Sequence, residues 1–198
     1  MFKLRIGILD IQGNVPEHIS MTKKAADKLG LKASVERVKY PEDFENLDAL
    51  IMPGGESTTI LKLIDKLGVR EILCSFSYSK PVLGTCAGLV ILSKSGGGLV
   101  GQSKQKLLGV LDAKVERNAF GRQVESFSDD VTVRGIGRIK GVFIRAPAIS
   151  SVGESVKVLA EYDGKIVAAE QDNILVTSFH PELTEDTRIH EYFLRKTK

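Results

Sequence analysis

The sequence predicts a three-layer α/β/α domain built on a mixed sheet and spanning residues 1–198 as one unit. Three observations predict it. In the first half, short continuous apolar runs closed by turns alternate with segments of helical periodicity, the mark of βαβ units around a buried parallel sheet. In the second half, strand signals follow one another with only turns between them, which makes that part of the sheet antiparallel-rich. Between the halves lies Gly84-Thr85-Cys86-Ala87-Gly88. This is the thiol counterpart of the Gly-x-Ser-x-Gly nucleophile elbow, set at a strand-to-helix junction.

Taken in order, Ile6-Gly7-Ile8-Leu9 reads as a strand buried on both faces, ending in the polar turn Asp10 to Asn14. The carboxyl ends of such strands are where open α/β sheets place their ligands. Val15, Ile19, Thr22, Ala26 and Leu29 share one helical face, and Gly30 stops that helix. Ala33 to Val38 and Ala49 to Met52 are the next strands, the latter closed by Pro53-Gly54-Gly55-Glu56-Ser57. Thr58 to Leu67 reads as a helix stopped by Gly68, and Val69 to Phe76 as a second helical piece. Val82 and Leu83 form the elbow strand, and Leu89 to Leu92 the helix after it. Ser95 to Gly98 and the polar Gln102 to Lys106 are expected to make a mobile surface loop. Strand signals follow at Val110–Leu111, Lys114–Glu116, Val124–Phe127, Val131–Val133, Val142–Ile144, Val156–Tyr162, Ile166–Ala169 and Ile174–Phe179. Asp163-Gly164 is a hairpin turn. A last helix is expected over Glu185 to Lys196.

Composition narrows the function classes. A net charge of +3, with Lys and Arg scattered among Asp and Glu, argues against a nucleic-acid partner. The longest apolar runs fall far short of a membrane span. The two cysteines make no disulfide framework, and the charged amino terminus is not a signal peptide, so a soluble cytoplasmic protein is expected. Cys74 and Cys86 lie twelve positions apart in different elements, without metal-ligand spacing, so no metal site is expected and Cys74 reads as core filler.

The elbow directs attention to groups that could activate a thiol. A buried structural cysteine would also suit an apolar junction, but glycine on both sides favours a nucleophile held in a strained turn. A free thiol is only a few per cent ionised at neutral pH and needs a base. His180 ends the apolar strand Ile174 to Phe179, on the side where the elbow opens, and Pro181 holds Glu182 within reach of its ring. His190 sits mid-helix between charged residues and is expected to be exposed. His18 opens the first helix after Glu17 and reads either as a capping or surface group or as part of a partner surface. The Pro53 to Ser57 turn can aim successive backbone N–H groups into one cavity, as a phosphate cradle or an oxyanion hole. The lysine of a phosphate loop is missing, so an oxyanion hole formed by the N–H groups of Gly55 and Ala87 is the expectation.

These residues resemble the class I, triad-type glutamine amidotransferases. Within that class the chain is similar to the glutaminase subunits of pyridoxal 5'-phosphate synthase. The resemblance rests on Gln12-Gly13 with Glu17-His18, Gly54 to Thr59, Arg117 to Gln123, Gly141 to Pro147 and Ser178 to Thr184, which run from the first strand to the last helix. It implies a flavodoxin-like sheet and catalysis by Cys86, His180 and Glu182 without a cofactor. It implies glutamine held by Gly54, Gly55, Glu56, Arg117, Ile144 and Arg145, the two arginines offering charge-assisted donors to the substrate α-carboxylate. The partner it implies is a (β/α)8-barrel synthase subunit, with Gln12 and His18 near the docking surface. The chain reads Asn14-Val15-Pro16 where the family more often has Ala-Val-Arg, and its Gly96 to Lys106 loop is a few residues longer. A different triad amidotransferase, a stand-alone γ-glutamyl hydrolase and a non-catalytic module on the same fold are the competing readings. The Arg117 to Gln123 and Phe143 to Pro147 motifs speak against the first two, and the complete triad against the third.

Overall fold

Residues 3–96, 106–120 and 126–197 are described by a computed structural model of the chain. Strands β1 (Leu4–Leu9), β2 (Ala33–Val38), β3 (Ala49–Met52) and β4 (Val82–Thr85) alternate with helices α1 (Val15–Lys28), α2 (Ser57–Leu67) and α3 (Arg70–Ser79). Helix α4 (Ala87–Leu92) follows the elbow, and β5 (Ser93–Gly96) and β6 (Leu111–Glu116) come next. Then follow β7 (Ser126–Val133), β8 (Gly137–Ile144), β9 (Ala148–Val152), β10 (Lys157–Tyr162), β11 (Lys165–Gln171), β12 (Ile174–Thr177) and α5 (Arg188–Arg195).

The large sheet runs β2-β1-β3-β4-β12-β11-β9-β6-β5, with β10 paired to β11. Its β2-β1-β3-β4-β12 portion is parallel, and β11 turns antiparallel against β12. The chain direction across the sheet reverses around β1, the switch point at which open sheets of this kind bind ligands. The last strand in sequence, β12, is inserted beside β4 in the middle of the sheet.

Alternating side chains divide the core into two layers. Leu50, Met52, Val82 and Val176 pack with Ile60, Ile64, Leu73 and Leu89 of α2, α3 and α4. On the opposite face Ile51, Leu83 and Leu175 pack with Ala25 and Ala26 of α1 and with Ile189, Phe193 and Leu194 of α5. The β7–β8 hairpin lies on this second face and carries an aromatic cluster, with Phe127 stacked on Phe143 at 4.6 Å. That cluster anchors the end of β8 beside the elbow.

Local chemistry explains the boundaries. Gly68 caps α2 in the left-handed region at φ +70°, which glycine adopts without steric cost. Asp163 and Gly164 both have positive φ in the two-residue β10–β11 turn, the geometry that suits strand twist. Three expectations are corrected. The signals at Val124–Phe127 and Val131–Val133 belong to one strand, β7, because pairing with β8 continues through the polar Ser128 to Asp130. Residues 124 and 125 lie outside the described residues. Ser95 and Gly96, expected in a loop, pair with β6 as part of β5; residues 97–105 of that loop lie outside the described residues. Strand β9 carries too few apolar residues to stand out in sequence, and it forms because β6 supplies its ladder. Among the described residues no helix is long and apolar enough to cross a membrane.

Candidate active site

The elbow joins β4 to α4 through Cys86, whose φ of +50° and ψ of −102° lie where a residue with a side chain rarely sits. The surroundings explain why the neighbours are small. A Cβ on Gly84 would stand 2.6 Å from Leu92 Cδ1, and one on Gly88 would run into the carbonyl oxygen of Met52. The backbone N–H of Cys86 donates to the carbonyl of Thr177 at 2.8 Å, tying the elbow to the end of β12. Its thiol donates weakly toward the carbonyl of Ile144 at 3.9 Å, and the side chain is largely buried.

Strand β12 ends three residues before His180, and the backbone N–H of His180 donates to the carbonyl of Val142 of β8 at 2.8 Å. Its ring Nδ1 stands 2.7 Å from Oε1 of Glu182, within the short 3-10 turn Pro181–Leu183. With Nδ1 held there, Nε2 is the nitrogen left for the thiol. Burial works against an imidazolium here. The hydrogen bonds and charges of Cys86 and Glu182 outweigh it and push His180 up to about 10. Glu182 is buried too, which by itself opposes ionisation. Its imidazole neighbours and the side-chain amide of Asn14 still hold it down at about 2. Asn14 Nδ2 donates to Glu182 Oε1 at 3.1 Å from the carboxyl end of β1.

The opposite wall is the Pro53 to Ser57 turn at the carboxyl end of β3. Gly54 packs directly against the His180 ring, since a Cβ there would stand 2.5 Å from His180 Cε1 and 3.4 Å from Cys86 Cβ. Gly55 has φ +131°, which excludes most side chains, and Gln12 occupies the space a Cβ would need. Gln12 Oε1 accepts the backbone N–H of Glu56 at 2.7 Å. Glu56 caps α2, accepting from Thr58 N at 3.0 Å and Thr59 N at 2.6 Å. Partial burial opposes ionisation of Glu56, but these helix-terminal donors keep it at about 2. Arg117 reaches the same carboxylate at 3.1 Å.

These elements enclose a cavity of about 470 Å³, within the range of small-molecule sites. Of the residues singled out in the sequence, Gly54, Gly55, Glu56, Cys86, Ala87, Arg117, Ile144, Arg145 and His180 all line it. Glu182 stands behind His180, and Gln12 behind Gly55. Arg145 has φ +44°, a turn that ends β8 at the cavity. Residues 121–123 of the Arg117 to Gln123 motif lie outside the described residues. Among the described residues no group of three His, Cys, Asp or Glu side chains could hold a metal ion.

Two histidine expectations are corrected. His18 is fully buried, so its side chain faces neither solvent nor a docking partner; α1 turns it inward beside Thr85 and Glu182. His190 is also fully buried rather than exposed, because it shares the inner face of α5 with Ile189, Phe193 and Leu194. Asn14, which the sequence marks by the polar turn ending β1 and by its departure from the family pattern, also reaches the site. Its place at the carboxyl end of β1 was the signal that it could reach the site.

A thiol in a strained elbow, an imidazole backed by a carboxylate, and a glycine-lined wall facing both can carry out acyl transfer from an amide. Comparison with known proteins agrees with that chemistry. The chain is 51% identical over 193 residues to a protein of Archaeoglobus fulgidus named pyridoxal 5'-phosphate synthase subunit PdxT, covering 97% of this chain and 98% of the relative. It is 48% identical over 195 residues to the protein of the same name from Methanococcoides burtonii, covering 98% of each. A crystal structure described as a glutamine amidotransferase superposes with a TM-score of 0.85 at 47% identity, covering 97% of this chain and 98% of that one. PurLQS from Thermotoga maritima shares the fold alone, with a TM-score of 0.69 at 14% identity. The family model of the SNO glutamine amidotransferases matches residues 8–198, and the chain belongs to that family.

Proposed function

We propose that this chain is the glutaminase subunit of a pyridoxal 5'-phosphate synthase, hydrolysing L-glutamine to L-glutamate and ammonia through Cys86, His180 and Glu182. One observation carries the reading. Cys86, in its strained elbow, and His180, backed by Glu182, open on one cavity that Arg117 and Arg145 also line.

In this mechanism His180 takes the thiol proton through Nε2 and the sulfur attacks the side-chain amide carbon of glutamine. Negative charge develops on the former carbonyl oxygen, for which the N–H groups of Gly55 and Ala87 are the proposed donors. A donor of this kind is typically worth about 10²–10³ in rate. The imidazolium then gives its proton to the departing amine, and ammonia leaves a γ-glutamyl thioester on Cys86. Water attacks the thioester, His180 takes its proton, and glutamate leaves as the thiol is restored. Glu182 keeps the imidazole in the right tautomer throughout and stabilises its charged form. Arg117 and Arg145 hold the α-carboxylate, and Gly54, Gly55, Glu56 and Ile144 form the remaining walls.

The proposed partner is a (β/α)8-barrel synthase subunit that receives the ammonia. Gln12 is exposed, and its side chain holds the backbone of Glu56. A partner pressing on the end of β1 would therefore act directly on the turn that carries Gly55. The test is ammonia release from glutamine by the protein alone and with the synthase subunit, with Cys86→Ala as the blank. Release that the synthase stimulates and Cys86→Ala abolishes is the expected result. Activity that survives Cys86→Ala overturns the mechanism, and full activity without the synthase overturns partner gating in favour of a stand-alone hydrolase.

A further inference from the structure

Behind the triad lie two imidazoles that the reaction above does not use. His18 on α1 and His190 on α5 are both fully buried, with His18 Nδ1 3.2 Å from His190 Nε2. The other nitrogen of His18, Nε2, is 3.3 Å from Thr85 Oγ1 and 3.3 Å from Glu182 Oε2. Glu182 is loaded unevenly. Its Oε1 takes both His180 and Asn14, whereas Oε2 is buried with no hydrogen bond of its own. A bare, buried carboxylate oxygen is costly, and the neighbouring His18 nitrogen is placed to relieve it.

We infer that His18 is a positioning residue for Glu182, a second imidazole that keeps this carboxylate ionised and aimed at His180, and that His190 fixes the tautomer in which His18 does so. The inference rests on the glutaminase reading above.

Hydrogen-bond polarity supports it. Burial disfavours the charged form of both rings, so each carries one N–H. An ionised carboxylate only accepts, so the His18 proton belongs on Nε2, between Thr85 Oγ1 and Glu182 Oε2. Nδ1 of His18 must then accept, which puts the His190 proton on Nε2 and leaves His190 Nδ1 as a lone pair. His190 Nδ1 is the ring atom that lacks a partner. The reverse assignment would aim a lone pair of His18 at the carboxylate and bury an N–H of His190 without an acceptor. Buried N–H groups are orphaned less often than acceptors. The remaining charged groups felt by His18 are His180 and Glu17, and neither changes this polarity. Two neutral imidazoles serving only to fill space would be a poor choice where His190 shares its inner helix face with Phe193 and Leu194, since an apolar side chain packs there without desolvation cost.

The test uses the full chain with its synthase subunit and three variants, His18→Leu, His18→Gln and His190→Leu. His18→Leu keeps bulk and removes the N–H, so kcat should fall about 10- to 100-fold, the worth of a hydrogen bond to a charged group, with KM for glutamine unchanged. His18→Gln returns an N–H near the Nε2 position and should bring kcat back to within about threefold of wild type. His190→Leu releases the tautomer and should fall between the two. If His18→Leu does not fold, the other two variants decide. The inference is overturned if His18→Leu retains kcat, if KM moves instead, or if folded His18→Gln is impaired while His190→Leu is not. Alkylation of Cys86 by iodoacetamide, read on its own peptide apart from Cys74, separates this idea from the glutaminase reading. Wild type that releases no ammonia sinks the reading, while slower alkylation of Cys86 in His18→Leu still supports the link. Unchanged alkylation of Cys86 counts against the link.

Discussion

Gly54→Ala is the sharpest perturbation the site offers. Gly54 does not have positive φ, so alanine adds no backbone strain, and the whole effect comes from one methyl group. That carbon would stand 2.5 Å from His180 Cε1, against about 3.5–4.0 Å for an ordinary carbon contact, so the ring must retreat by about 1 Å. It has little room to do so. His180 is 5% exposed and tethered to Glu182 at 2.7 Å, and Cys86 Cβ lies 3.4 Å from the new methyl. A misplacement of about 1 Å at a reacting group costs on the order of 10²-fold in rate, or about 2.7 kcal/mol of barrier. Ammonia release with the synthase subunit present should therefore drop about 100-fold in kcat, with a melting temperature within a few degrees of wild type. Gly30→Ala is the control. Gly30 has φ +63° with nothing within 4 Å of the added carbon, so this variant should lose about 1 kcal/mol of stability and keep its kcat. A Gly54→Ala enzyme within about threefold of wild-type kcat would refute the claim that the imidazole is held without slack.

Two further outcomes are expected. His190 is held neutral to about 3 in the folded chain against an ordinary 6.5, and burial lowers His18 in the same direction. Depressed values mean that this stability is complete above pH 6.5 and is lost as the pH falls below it, down to about 3 for His190, at up to about 1.4 kcal/mol per pH unit for a ring. Glu182, held near 2, adds its own loss only below its ordinary 4.5. Thermal melts between pH 6.5 and 4.5 should thus show a decline that His190→Leu flattens, and a level wild-type curve would contradict it. Arg117→Ala should raise KM for glutamine about tenfold or more while leaving the melting temperature nearly unchanged. The reason is that its pair with Glu56 is 28% and 48% exposed, so that water already screens it. A raised KM accompanied by a large drop in melting temperature would assign Arg117 to the fold instead.

Much of the site was legible because glycine and strand ends leave clear marks. Gly84, Gly88 and Gly54 are required by contacts that any Cβ would violate, so their spacing in the sequence already drew the elbow and the facing wall. The parallel strands β1, β3 and β4 were equally plain, being short apolar runs buried on both faces. Polar groups on helices were harder. Charged neighbours suggested an exposed His190, yet its spacing from Phe193 and Leu194 is the i, i+3, i+4 pattern of an inner face, and periodicity outweighs the immediate neighbours. The link from Asn14 to Glu182 spans 168 positions, and no local pattern encodes it. Strand β9 depends on β6 for its pairing, and tertiary context decides such strands.

The placement of β12 has a consequence for biosynthesis. The strand that delivers His180 is the last in the chain, yet it belongs between β4 and β11. During synthesis Cys86 leaves the ribosome long before its base, and until β12 docks, Cys86 also lacks the Thr177 carbonyl that holds its backbone N–H. On the proposed mechanism, a chain in which β12 has not docked therefore has the thiol without the base that would activate it. If His180 is the base proposed above, glutamine hydrolysis needs β12 docked in the sheet, and the fold withholds ammonia production from copies in which that strand has not yet paired.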